Sequence, residues 1–278
     1  MLMEAGVFGD LKNFLIAALL NLRFFLTEYP MLLFQRILYE KKYFNNSNPL
    51  VSIIIATYNR GNILVSRTIP YLLDQDYKNI EIIIIGDNCI DNTSELLKSI
   101  SDKRVKFFDL KKRGKYPSSI VDRWFVQGTK PRNVGMKYAK GDWFVWMSDD
   151  DILFKNHIST LLNHAKKYNY EFVTANYEEE RDGVSAKIKA QAFDKNFPNF
   201  FIGGMPAWMY RSYLRIFKWN IHAWRKKYNR PVDFDLASRF KRCGVRIGHI
   251  DKIVAKVPPV EGTNTVGYQA ALIADTGD

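Results

Sequence analysis

Val51-Ser52-Ile53-Ile54-Ile55-Ala56 runs directly into Thr57-Tyr58-Asn59-Arg60. A near-continuous apolar run that stops at polar, turn-forming residues reads as a strand buried on both faces, ending at a polar edge. The pattern returns twice. Ile80 to Ile85 gives way to Gly86-Asp87-Asn88, and Trp143 to Met147 gives way to Ser148-Asp149-Asp150-Asp151. Helix-like stretches near 63–75, 92–101 and 131–140 lie around and between these runs. Alternating strand and helix implies βαβ units and a doubly wound, mostly parallel α/β sheet. Arg104 to Phe108 and Glu171 to Ala175 predict two further strands. Ligands of open α/β sheets bind beyond the carboxyl ends of the strands. The three polar clusters are therefore expected to converge on one rim.

Turn and cap preferences explain each cluster singly, but they explain three consecutive aspartates poorly. Adjacent carboxylates repel by roughly 1 kcal/mol or more per close pair even when solvated. A divalent cation removes that penalty, and hard oxygen donors suit Mg²⁺ or Mn²⁺ rather than zinc or copper. Mg²⁺ usually takes one or two carboxylates and completes its shell with substrate phosphate oxygens. The cluster thus points to a metal-bound diphosphate. The chain has no GxGxxG or GxxxxGK[ST] loop to cradle phosphates with backbone N–H groups, which argues against a dinucleotide dehydrogenase and a P-loop NTPase.

The 278 residues, 47% hydrophobic and 25% charged, exclude a disordered chain and a collagen-like repeat. Cys89 and Cys243 are the only cysteines, too few for a disulfide scaffold; they suggest a reducing compartment and have no zinc-type spacing. The net charge of +12 is uneven: residues 195–260 carry fourteen Lys or Arg against Asp233, Asp235 and Asp251. Such a basic region fits an anionic ligand, an anionic membrane surface or simply a solvated face. No nucleic-acid-binding signature accompanies it, so nucleic acid is not expected as a partner.

Residues 11–38 are rich in Leu and Phe, but their longest charge-free run, Asn13 to Leu22, falls well short of the ~20 residues of a standard membrane span. A signal peptide is disfavoured because Glu4 and Asp10 precede the apolar stretch. Tyr29-Pro30 predicts a break between two helices, near 10–28 and 31–43. These helices could pack on the main domain, lie in a bilayer interface or bind a partner protein. Asn45-Asn46-Ser47-Asn48-Pro49 reads as a linker. The organisation expected is an N-terminal helical extension, 1–48, and one domain, 49–278. Within that domain the expected parts are 49–150, 151–260 and a tail, 261–278.

Together VSIIIATYNR, EIIIIGDNCIDNTSE, PRNVGMKYAKGDWFVWMSDDDIL and PVDFDLASRF resemble, in order and spacing over about 51–245, the family 2 glycosyltransferases of the GT-A fold. The resemblance implies an inverting transferase that uses a nucleotide-diphosphate sugar donor, a divalent cation (Mn²⁺ or Mg²⁺), and a glycan or lipid-linked acceptor. By the same resemblance 49–150 is the nucleotide-binding part and 151–260 the acceptor part, and Thr57, Tyr58 and Arg60 surround the nucleotide base. Asp87 contacts base or ribose, and Arg132, followed by Asn133, is a nucleotide contact. Asp91 and Thr93 match later positions of the nucleotide block or cap a helix. Gly86 and Cys89 stand where the family has Asp and Ser. Ser148 takes the first position of the Asp-x-Asp-Asp motif. Metal ligation then falls on Asp150, with Asp149 reaching ribose or metal. Asp151 joins the metal site, contacts the donor sugar or caps the next helix, expected from about 154.

Asp233 aligns with the family's catalytic Asp, with Val232 in place of the usual preceding Glu, and is the expected general base; Asp235 is the fallback. The alternative for Asp233 is a first-turn residue complementing the helix dipole after Pro231. The segment from Phe201 through Gly203-Gly204 to Trp208-Met209-Tyr210 matches acceptor-side residues. Gly204 and Trp208 are the candidates there, Trp208 either stacking on a sugar or packing in the core. His157 and His164 read as solvated or structural, and His249 as an outside candidate for a late metal ligand. Residues 261–268 read as a loop able to close over the diphosphate. Two other readings stand beside the first. A sugar-phosphate nucleotidyltransferase would need a Gly-rich basic loop where TYNR stands. A catalytically silent glycan- or membrane-binding protein is suggested by Ser148 and Val232. The expected location is cytoplasmic, including the inner face of the membrane.

Overall fold

The computed structural model describes residues 2–190, 202–226 and 231–275. Phe201, which opens the glycine-aromatic segment, and the last three residues of the tail lie outside them. The apolar runs form the strands expected of them. Strands β1 (Val51–Thr57), β2 (Ile80–Gly86), β3 (Val105–Asp109) and β4 (Trp143–Met147) pair in parallel in the order β3-β2-β1-β4. Val51 sits opposite both Ile80 and Trp143. Every residue of β2 and β4 is buried, which is why neither run alternates with polar residues.

Beyond β4 the sheet changes direction. Strand β8 (Trp208–Arg211) is antiparallel to β4 and to β6 (Phe172–Arg181); β9 (Ile247–Val257) is parallel to β6. The two-residue β5 (Ile152–Leu153) edges β9, and β7 (Val184–Ile188) pairs with β6. The carboxyl ends of β1, β2 and β4 consequently face one cavity while β8 closes the parallel half.

The helices lie near their expected places. Helix α2 (Gly61–Ile63) passes through a π-helical turn, Leu64–Thr68, into α3 (Ile69–Leu73). Then follow α4 (Thr93–Lys98), α5 (Ile120–Val126), α6 (Thr129–Tyr138), α7 (His157–Lys167), α8 (Val232–Arg242) and α9 (Gly267–Asp275). Gly135 lets α6 lie against β1: a Cβ there would sit 2.5 Å from Ile54 Cγ2. That close approach carries Arg132, one turn earlier, to the end of the sheet. The tail expected as a loop over 261–268 becomes helical from Gly267. Ala270 and Val266 are buried, and burial of that face fixes the turn that small polar residues alone would leave open.

The N-terminal segment is one helix, α1 (Leu2–Asn45), with Pro30 inside it, not two helices broken at Tyr29-Pro30. Proline removes one helical hydrogen bond. Buried contacts on both sides of it, Glu28 before and Leu32 after, hold the helix on the same line. Glu28 pairs with Arg239 of α8, whose Nε also donates to Asp235 Oδ2 at 2.9 Å. Arg36 makes a two-bond contact with Glu171, Nε to Oε1 at 2.8 Å and Nη2 to Oε2 at 2.6 Å.

Arg239 therefore stands as the buried centre of a charge cluster, with Asp235 also paired to Lys226 and bonded by Asn220. Removing one member of such a cluster leaves the others uncompensated, at a cost of about 3–5 kcal/mol. Arg239→Ala is expected to lower the free energy of unfolding by that amount, read as a fall in the urea midpoint at an unchanged m-value. An effect below about 1 kcal/mol, within the range of an exposed pair, would contradict it.

Candidate active site

The carboxyl ends of β1, β2 and β4 open into a cavity of about 530 Å³, closed by α5, α9 and the start of α8. It gathers Thr57, Tyr58 and Arg60 after β1, Asp87 after β2, Asp149, Asp150 and Asp151 after β4, Arg132 from α6 and Asp233 from α8. All nine were named from the sequence.

The aspartate loop is held from three sides. Thr57 Oγ1 donates to Asp149 Oδ2 at 2.8 Å. From the π-helical turn, Arg67 Nη2 donates to the Asp150 carbonyl at 2.6 Å and Thr68 Oγ1 to the Asp149 carbonyl at 2.7 Å. The Ser148 N–H donates to Asp151 Oδ2 at 2.6 Å, so Asp151 closes its own turn. Arg60 lies across the loop, with Nη2 2.7 Å from Asp150 Oδ2 and Nε 3.7 Å from Asp149 Oδ1. Burial, followed by the charge of Asp150, pushes the carboxyls of Asp149 and Asp151 above the usual range. Three carboxyls thus share one turn, with Arg60 and Arg132 as the cations beside them.

Arg132 is buried; its Nη1 donates to the Gln127 carbonyl at 2.8 Å and its guanidinium lies 5.3 Å from the Trp219 ring. Burial lowers its pKa, while Asp233, Asp149 and Asp151 counter the shift. It thus lies electrically between the aspartate loop and Asp233. Asp233 sits in the first turn of α8, accepts from the Phe234 N–H at 2.9 Å, and has its pKa raised chiefly by burial, with Arg132 opposing.

Asp87 is occupied: Oδ1 accepts from the Gly114 N–H at 3.0 Å and Oδ2 from the Tyr116 hydroxyl at 2.7 Å. It ties the segment after β3 across one end of the cavity, where the Arg113 guanidinium stacks 3.6 Å from the Tyr58 ring centroid. Arg113, Tyr116, Arg123 and Trp124 line the cavity and were missed by sequence reasoning. Their only signal was the basic run Lys111-Lys112-Arg113 before Tyr116, which fits any exposed loop. Arg67 and Thr68 were missed too, because a π-helical turn has no sequence signature here.

The glycine at position 86, where the family has Asp, has a structural reason. A Cβ on Gly86 would meet Asp109 Oδ1 at 2.4 Å. Asp109, at the end of β3, accepts from the N–H groups of Asn88 and Cys89 at 3.0 and 3.2 Å and from the Ser94 hydroxyl at 3.0 Å. Its carboxylate fills the space that a longer side chain at position 86 would take. Gly86→Asp alone is expected to cost about 1–3 kcal/mol by overpacking. Adding Asp109→Gly should recover at least half of that loss. Equal Tm values for the single variant and the parent would contradict the steric account.

Three candidates are not brought to the cavity. Asp235 is fully buried on the inner face of α8, and its cationic partners hold its pKa down against burial; it anchors the charge cluster and does not line the cavity. Trp208 is in the core, with Nε1 donating to the Ile202 and Gly203 carbonyls at 2.9 and 3.2 Å and its ring against Phe172. It offers no face to a sugar. Gly204 lies against the Tyr177 hydroxyl, and its neighbour Met205 reaches the cavity instead. His157 is buried with Nδ1 on the Val254 carbonyl, His164 packs between Tyr168 and Tyr170, and His249 Nε2 meets Asn176. Asp91 Oδ1 accepts from the Thr93 N–H at 3.0 Å, a turn just ahead of α4, and Thr93 Oγ1 accepts from the Gly61 N–H at 2.8 Å. Asn133 holds Trp219 through both main-chain groups, supporting the wall behind Arg132.

Comparison with known proteins agrees with this geometry. The family model for glycosyl transferase family 2 matches residues 52–120 and 128–227, more than half of the chain. An uncharacterized glycosyltransferase of Rickettsia typhi is 37% identical over 123 residues, 44% of this chain and 34% of that protein. The UDP-Glc:alpha-D-GlcNAc-diphosphoundecaprenol beta-1,3-glucosyltransferase WfaP of Escherichia coli is 32% identical over 148 residues, 53% of this chain and 54% of that one. The chain thus spans between about a third and a half of the length of these relatives. Among solved structures, S. aureus TarS in complex with UDP superposes with a TM-score of 0.55 at 17% identity, over 75% of this chain and 60% of that one. A Pyrobaculum calidifontis mannosyltransferase in complex with GDP-Man and Mn²⁺ superposes with a TM-score of 0.56 at 14% identity, over 90% of this chain and 69% of that one. With a GT-A fold and a family signature across both halves of the sheet, the chain belongs to glycosyl transferase family 2.

Proposed function

We propose that the protein transfers a sugar, with inversion at the anomeric carbon, from a nucleoside diphosphate donor to a hydroxyl of a glycan or lipid-linked acceptor, with Mn²⁺ or Mg²⁺. The observation that carries this reading is a single cavity holding an aspartate loop at one side, Asp233 at another and buried Arg132 electrically between them. The relative from E. coli is named for a diphosphoundecaprenol acceptor and a UDP-Glc donor, which supports the acceptor class.

The donor set fits a hard cation. Its side-chain donors are all carboxylate oxygens, from Asp149, Asp150 and Asp151 at the cavity. A cation held by one or two of them would complete its shell with phosphate oxygens. Asp150 would be the ligand, its carboxylate accessible from the cavity and balanced by Arg60; Asp149 would face metal or ribose. Asp151, tied to Ser148, contributes charge to the metal site. When bound, the cation acts as a Lewis acid on the departing diphosphate. Arg60, paired with Asp150 at 2.7 Å, would lend its guanidinium to the phosphates.

Thr57, Tyr58 and Asp87 hold the nucleoside, with Arg113 and Tyr116 closing over it. Arg132 stabilises the negative charge that grows on the diphosphate. Asp233 accepts the acceptor hydroxyl proton as that oxygen bonds to the anomeric carbon and the bond from that carbon to the phosphate oxygen breaks. The test is turnover of UDP-, GDP-, dTDP- and CDP-sugars with Mn²⁺, with and without chelator. One nucleotide class is expected to give metal-dependent release of nucleoside diphosphate; no turnover of any donor would overturn the reading.

A further inference from the structure

Helix α1 is long and apolar enough over Leu11–Glu40 to cross a bilayer by length and composition. Its contacts point elsewhere. Asn13 Oδ1 accepts from Arg225 Nη1 at 2.7 Å, Glu28 pairs with Arg239, Arg36 with Glu171, and Glu40 with Arg246 at 2.6 Å. From residue 13 to residue 40 the helix is pinned to the body over about 40 Å at about 1.5 Å per residue. The buried positions, Ala17, Glu28 and Leu32, with Asn21 and Phe24 half-buried between them, form one narrow stripe at helical spacing. A spanning helix would pull the polar surface beside it into a hydrocarbon core about 30 Å thick.

The rest of α1 is exposed and apolar. Leu15, Leu19, Leu22, Leu26, Phe34 and Ile37 all face outward, Ile37 at 80% and Leu19 at 66% exposure. Such a patch marks an interaction surface. Within 11–40 both acids, Glu28 and Glu40, are bound to arginines of the body, while Lys12 and Arg23 are exposed. The neighbouring α8 adds exposed Lys241 and Arg242. An apolar face bordered by cations, with its acids turned inward, is complementary to anionic headgroups above acyl chains.

We infer that α1 lies flat in the interface of an anionic bilayer and docks the protein there as a peripheral, non-spanning enzyme. The helix contacts the turn Ala223–Arg225, which in turn contacts α5 on the cavity wall. Docking therefore holds the cavity one element away from the lipid surface. The inference rests on the proposed function only in giving that position a purpose, delivery of a lipid-linked acceptor.

The test is co-flotation of the full chain with phosphatidylcholine vesicles, with and without phosphatidylglycerol. Binding is expected to phosphatidylglycerol vesicles and to weaken with salt. Leu19→Glu with Ile37→Glu should lower it at least about tenfold. Both side chains are exposed, so the Tm and the nucleotide-dependent thermal shift should stay unchanged. Lys12→Gln with Arg23→Gln should reduce the preference for phosphatidylglycerol. No binding of the parent chain to anionic vesicles would overturn the inference. So would a concentration-dependent dimer that the glutamate substitutions dissociate, because the face would then belong to a second copy. Vesicle binding without donor turnover would support docking while overturning the proposed function.

Discussion

Asp233→Asn is expected to lower the rate of sugar transfer by about 10²–10⁴-fold, the usual contribution of a positioned general base, while nucleotide binding in the presence of Mn²⁺ stays unchanged. The isosteric amide keeps an oxygen for the Phe234 N–H and loses only the capacity to take a proton. The pH profile carries a second signature. Burial raises the Asp233 pKa above the ordinary carboxylate value, which is about 3.9. The base works only when ionised, so kcat/KM should fall as pH drops through that raised value, with an acidic limb above the ordinary one. Arg132 favours the ionised form. Arg132→Gln should therefore move the limb to still higher pH, besides weakening nucleotide binding. A near-normal rate for Asp233→Asn, or a limb at the unperturbed value, would contradict the assignment.

Asp150→Ala should abolish the Mn²⁺-dependent part of the thermal stabilisation given by a nucleoside diphosphate. At a ligand concentration of about 100 Kd that stabilisation is about 2.7 kcal/mol. Without nucleotide the variant should lose no more than about 1 kcal/mol, because the Arg60–Asp150 pair is partly exposed. Transfer should fall by about a hundredfold or more, since a lost Lewis acid removes several kcal/mol of transition-state stabilisation and each ~1.36 kcal/mol is tenfold. An unchanged metal-dependent shift would move the ligand role to Asp149 or Asp151.

Most of the parallel half of the sheet was legible in the sequence because its strands are buried on both faces. Val51–Thr57, Ile80–Gly86 and Trp143–Met147 leave no room for a competing period, and the polar residues that end them mark the rim. The half beyond β4 was harder to read. Trp208 and Asp235 carry the residue types of a sugar-binding wall and a base, yet both face inward. Trp208 satisfies its N–H on two carbonyls, and Asp235 satisfies its charge on Arg239 and Lys226. Trp208 is packed against Phe172 on another strand, and the Arg239–Glu28 link beside Asp235 spans 211 residues, contacts that no local pattern reveals. Pro30 misled for a related reason. Proline is a local breaking signal, whereas α1 is held straight by tertiary contacts on both sides of it. Gly86 was read as a departure from the family pattern, and only the position of Asp109 on the next strand explains it.

Anomalous diffraction from crystals soaked with a nucleoside diphosphate and Mn²⁺ tests the central claim most directly. The account predicts a manganese peak beside the Asp150 carboxylate, in contact with diphosphate oxygens, and Arg60 released from Asp150. Nucleotide bound outside this cavity, or bound with Asp149, Asp150 and Asp151 turned away and no ion beside them, would contradict it.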